Sequence, residues 1–93
     1  MGEKQVERRL KNQVEKRGGK ALKFVSPGIR GVPDRIVLLP GARTIFVELK
    51  APGEEMEPLQ RKRAAELRAL GFSVYCLDSF EAVDQFIQEV FGE

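Results

Sequence analysis

The stretch GVPDRIVLLPGARTIFVELK, residues 31–50, sets Asp34, Glu48 and Lys50 at the ends of two apolar runs. In a strand, side chains two positions apart share a face. Glu48 and Lys50 therefore sit with Thr44 and Phe46, and Ile45, Val47 and Leu49 are left for the opposite face. A tight hairpin at Pro40-Gly41-Ala42 lays the start of the first run beside the end of the second. Asp34 is thereby delivered to Glu48 and Lys50. Two close carboxylates are unfavourable unless something cationic joins them. A magnesium ion, which takes oxygen ligands and usually keeps several waters, would supply that charge. The carbonyl of Leu49 lies between the two acids as a further oxygen, and Lys50 is placed to orient or deprotonate water or to stabilise charge on a phosphate. A metal that lowers the pKa of water makes hydroxide available near neutral pH. These parts suit phosphodiester hydrolysis. The ordinary alternative is an Asp–Lys–Glu salt-bridge cluster at a sheet edge.

What the chain lacks narrows the chemistry. It has no histidine, which removes Ser-His-Asp triads, zincins and histidine-dependent metal nucleases together. Its one cysteine, Cys76, excludes an intrachain disulfide and a cysteine-rich zinc site. Lying in the apolar run FSVYCL, Cys76 is expected to fill core space.

The elements that must position these groups follow from periodicity. Residues 2–17 read as a helix, with Val6, Leu10 and Val14 every fourth position and Gly18-Gly19 as its end. At 100° per residue, Glu3 and Glu7 fall within the arc of those apolar residues. A carboxylate there needs a partner. KALKFV (20–25) reads as a strand, SPGIRGVP as a loop, and DRIVLLP and RTIFVELK as a hairpin. A second helix runs from Pro58 to Leu70 and places Gln60 on the face of Ala64 and Leu67, with Arg63 near it. FSVYCL is a fourth strand, and Ser79 caps a last helix ending near Phe91, with a broad apolar face from Phe80 to Phe91. The strand–helix–strand step around 58–71 predicts that the fourth strand runs parallel to the third.

The chain's 93 residues imply one domain. No apolar run approaches the ~20 residues of a membrane span, and the N-terminus has no secretory h-region, so a cytoplasmic protein without membrane attachment is expected. The net charge of +2 is uneven: residues 1–50 hold 12 Lys/Arg against 5 Asp/Glu, and residues 51–93 hold 4 against 9. The basic half contains the acidic strand ends, which points to a polyanionic partner.

The phrase RGVPD, followed by RIVLL, TIFVELK and a helix carrying Gln60, resembles the PD-(D/E)XK nuclease superfamily. More narrowly, it is similar to the small stand-alone virus-type replication-repair nuclease (VRR-NUC) domains. In that match Pro33-Asp34 is the PD, Glu48-Leu49-Lys50 the ExK, Glu7 the helix-one glutamate with Glu3 as its alternative, and Gln60 the glutamine after the motif. The resemblance implies an α/β restriction-endonuclease-like core of order αβββαβα, a mixed sheet flanked by helices. It further implies a DNA endonuclease using Mg²⁺ or Mn²⁺ bound by Asp34, Glu48, the Leu49 carbonyl and Glu7, with Lys50 and Gln60 positioning water and phosphate. Arg8, Lys11, Lys23, Arg30 and Arg35, with Arg9, Lys16, Arg17 and Lys20, would contact phosphates. Stand-alone members resemble Holliday-junction resolvases that cut branched DNA as homodimers, and the apolar face of the last helix is open to a dimer contact or, with at least equal weight, to ordinary core packing. A non-catalytic DNA-binding module on the same fold is the second reading.

Overall fold

In the computed structural model, which describes residues 2–92, the elements run α1 (Glu3–Glu15), β1 (Lys20–Lys23), β2 (Arg35–Leu39), β3 (Arg43–Leu49), α2 (Pro58–Ala69), β4 (Ser73–Leu77) and α3 (Phe80–Phe91). This is the αβββαβα order read from the sequence. The first strand stops at Lys23, short of Val25, as the chain turns out toward Ser26-Pro27-Gly28. After α1 the chain reverses tightly. Gly18 has φ +85°, and a Cβ on Gly19 would lie 2.7 Å from the Leu38 carbonyl oxygen, so only glycine fits against the sheet there.

The strands form one sheet in the order β1-β2-β3-β4. The first two pairings are antiparallel, and β3 with β4 is parallel across the α2 connection. Arg35 lies opposite Val47. One residue further along that register, Asp34 meets Glu48. The three-residue β2–β3 connection, 40–42, carries Gly41 and Ala42 at positive φ (81° and 60°), the left-handed geometry that tight hairpin connections favour.

The alternation read in RTIFVEL separates the two faces. Ile45, Val47 and Leu49 join Val37 and Leu39 in the main core, against Val6, Leu10 and Val14 of α1 and Val83, Phe86, Ile87 and Val90 of α3. Phe46 points to the other face and packs with Ala64 of α2 and Val74 of β4. Its ring meets Phe24 and Phe72 at centroid distances of 5.5 and 5.3 Å. Glu48 shares this second face. Ser79 caps α3, its hydroxyl accepting from Ala82 N at 3.1 Å.

Of the two readings of the apolar side of α3, core packing holds: Val83, Phe86, Ile87 and Val90 are buried in the main core. One expectation changes. Cys76 is exposed rather than buried. It lies on the α2 face of an edge strand, where α2 covers Val74 but leaves Cys76 open. Because Phe86 is fully buried between α1 and the sheet, Phe86→Ala should lower unfolding free energy by roughly 3–5 kcal/mol. Urea denaturation followed by circular dichroism measures this, and a loss below 1 kcal/mol would show that the face is not the core.

Candidate active site

Asp34 and Glu48 are brought together by the hairpin and locked by each other's main chain. The Asp34 amide donates to Glu48 Oε1 at 3.2 Å, and the Leu49 amide donates to Asp34 Oδ1 at 3.1 Å. The exchange works because Asp34 is the first residue before β2 and faces the end of β3. There the ladder leaves amide hydrogens free for side chains. The other Glu48 oxygen accepts from Gln60 Nε2 at 3.1 Å and lies 3.9 Å from Lys50 Nζ. Gln60 reaches it from the first turn of α2, while its own Oε1 accepts from the Glu57 amide at 2.8 Å and so caps the helix. Asp34, Glu48, Lys50 and Gln60 therefore converge as the sequence predicts.

Electrostatics register the crowding. Glu48 is only 5% exposed. Burial, followed by the charge of Asp34, pushes its carboxyl from 4.5 up to about 7, against an opposing pull from Lys50. Burial also raises Asp34, partly offset by its hydrogen bond from Leu49. The negative charge of Glu3, on the exposed first turn of α1, adds to both shifts. A pair of acids held together away from full solvation is a site suited to a cation. Among the described residues no three or more His, Cys, Asp or Glu side chains are grouped to hold a metal. The side-chain oxygens on offer to a cation are thus the Asp34–Glu48 pair alone, a set that would suit a largely hydrated Mg²⁺ better than a metal needing a full protein cage.

Other candidates separate from this centre. Glu7 forms an ion pair with Arg35, so of the two helix-one acids Glu3 is the one whose charge is felt by the carboxylate pair. Arg35 is 7% exposed. It donates to the Asp34 carbonyl at 2.8 Å and lies 3.6 Å from the Asp34 carboxylate. The first position of β2 turns its side chain under α1, so it is a structural brace and not a surface phosphate contact. Arg9 makes a two-pronged bond to Asp84, both contacts at 2.9 Å, with its guanidinium over Phe80. Arg8 and Arg30 are exposed, and Lys11 and Lys23 line a cleft of about 320 Å³ between α1 and β1. Arg63 donates to the Arg30 carbonyl at 2.8 Å and pairs with Glu66.

Cys76 is a neighbour the sequence reading missed. The parallel register sets it opposite Glu48, and partial desolvation of the sulfur, then the charge of Glu48, raise its thiol pKa although the residue as a whole is exposed. Only knowledge of that register would have placed it there.

No family model matches the chain. A curated relative, "Putative nuclease p44" of Acyrthosiphon pisum secondary endosymbiont phage 1, is 56% identical over 77 residues, 83% of each chain. A solved structure described as a VRR_NUC domain superposes with a TM-score of 0.88 at 31% identity, covering 95% of this chain and 96% of that one.

The folded state holds the Glu48 proton more tightly than the unfolded chain. The stability so conferred is full below about pH 4.5 and lost as pH rises through about 7, at most about 3 kcal/mol. Unfolding free energies of wild type and Glu48→Gln, compared from pH 4.5 to 8, should diverge over that window. Parallel curves would refute the buried-acid assignment.

Proposed function

We propose, from the premise that the chain belongs to the VRR-NUC family of nucleases, that it is a divalent-metal-dependent DNA endonuclease acting on branched DNA such as Holliday junctions. One observation carries the reading: Asp34 and Glu48 each accept from the main chain beside the other, at 3.1 and 3.2 Å, and burial followed by the charge of Asp34 raises the Glu48 carboxyl to about 7. Mg²⁺ or Mn²⁺ would be held by Asp34, Glu48 and the Leu49 carbonyl, with a helix-one acid adding negative charge nearby, since among the described residues no third acid is grouped with the pair. Glu3 is preferred for that role, because Glu7 is engaged by Arg35. When bound, such an ion lowers the pKa of water and offsets charge on the phosphate.

The chain's own groups supply position. Lys50, its ammonium 3.9 Å from Glu48, presents a cation to a phosphate oxygen and to the incoming water. Gln60 keeps the Glu48 carboxylate in one orientation by donating to its second oxygen. Arg8, Lys11, Lys23 and Arg30 track the phosphate backbone. Among the described residues no set of side chains suggests reading of base edges, which favours recognition of DNA shape. A homodimer would let two such centres address two strands.

Four-way junction, flap, gapped and linear duplex DNA, each with Mg²⁺ or Mn²⁺, should be cut in the order branched before linear. Lys50→Ala should lose on the order of 10²–10³ in rate. Asp34→Ala should fall to background with an unchanged far-ultraviolet spectrum. Cleavage retained by pure Asp34→Ala would remove the proposed role, and binding without cleavage in either metal would favour a binding module. A readout independent of turnover is the proton released on adding Mg²⁺ near pH 6.5. Calorimetry in two buffers should detect it in wild type and lose it in Glu48→Gln.

A further inference from the structure

The segment between β1 and β2 leaves and returns at one point. The Phe24 amide donates to the Asp34 carbonyl at 2.9 Å, so residues 25–33 form a loop whose two ends meet at the candidate catalytic acid. Its base is fixed. Gly31 has φ +88°, and a Cβ there would lie 2.8 Å from the Leu59 side chain, so the loop presses directly on α2. The Arg30 carbonyl accepts from Arg63 at 2.8 Å. Its tip is bare. A turn closed by Ile29 N to Ser26 O, 3.1 Å, separates Val25 and Ile29, which are 74% and 50% exposed. Leu59, 38% exposed, adds a third aliphatic at the base. Single exposed aliphatics need no explanation. Two on one braced loop, on either side of a single turn and between the exposed cations Lys23 and Arg30 in the chain, are different.

We infer that Val25 and Ile29 form an apolar wedge that inserts between unstacked bases of the DNA whose backbone lies at the Asp34–Glu48 pair, with Lys23 and Arg30 on the adjoining phosphates. The inference rests on the nuclease reading for its ligand. The occupant follows from charge and continuity. Cations flank the aliphatics, and the loop is one chain segment with Asp34. Apolar side chains held between phosphate contacts are how proteins part a base step. Bases at a branch point, being less well stacked than those of a continuous duplex, cost least to open. The wedge would therefore supply a preference for branched over linear DNA that the carboxylate site alone has no means to provide.

The test uses the full chain and a junction carrying 2-aminopurine at the branch point, with Ca²⁺ to permit binding. Wild type should raise 2-aminopurine fluorescence several-fold, as unstacking does. V25S/I29S should lose most of that rise and cut the junction at least tenfold more slowly in Mg²⁺, with its rate on linear duplex little changed. V25L/I29L, which keeps apolar bulk, should retain both. K23A/R30A should weaken binding and lower the salt slope by about 2. A fluorescence rise and junction preference that survive V25S/I29S would overturn the wedge, as would failure of wild type to bind the junction. Sedimentation showing that V25S/I29S splits a dimer into monomers would overturn it too, by assigning the tip to a second copy. A normal fluorescence rise without cleavage in any metal would sink the nuclease reading and leave the wedge standing. The two substituted side chains are exposed, so folding should be unaffected, and thermal melting verifies this.

Discussion

Two acids forced together in a place that solvates neither of them well is the constraint on which this molecule is built. Asp34 and Glu48 are distant in sequence, and neither would choose the other's company. The hairpin imposes it, and each is then held by the amide next to its rival. Main-chain donors stabilise the ionised forms, while burial and mutual repulsion oppose them. The opposition wins at Glu48, whose carboxyl is raised to about 7. A purely structural cluster would gain more by replacing one acid with an amide, since breaking symmetry between like charges relieves repulsion at little cost in shape. Retaining both acids makes sense where a cation is to be taken up.

The rest of the fold can be read as support for that arrangement. The main core, with α1 and α3 on one face, makes the sheet rigid enough to keep Asp34 and Glu48 in register. The smaller cluster around Phe46 seats α2 on the opposite face, which brings Gln60 over Glu48. Arg35 works beneath the sheet end. Wedged between Glu7 and the Asp34 carbonyl, it ties the first helix to the hairpin and keeps one carboxylate of that helix away from the centre.

Much of this was legible beforehand because the signals were local. The period-two alternation of RTIFVELK sorts Glu48 from Val47, and the Pro-Gly-Ala turn sets which residues of the hairpin meet. Together they locate Asp34 against Glu48. Helix periodicity likewise identifies Val6, Leu10 and Val14 as core. What stayed hidden depended on pairings between distant segments. Cys76 sits in a run as apolar as any core strand, yet its face is decided by where α2 stops. Arg35 reads as one more surface cation until α1 is laid across it. The choice between Glu3 and Glu7 turns on that same guanidinium, which no spacing rule reveals.

The amide of Gln60 illustrates how a helix end can govern chemistry. An amide has one oxygen and one nitrogen, and the Glu57 backbone at the start of α2 requires the oxygen. The nitrogen is then the only end left to face Glu48. Helix capping thus dictates the polarity of the contact at the acid. The carboxylate is presented with a hydrogen donor and never with a second lone pair, and its orientation is set while the chain folds, before any ligand arrives.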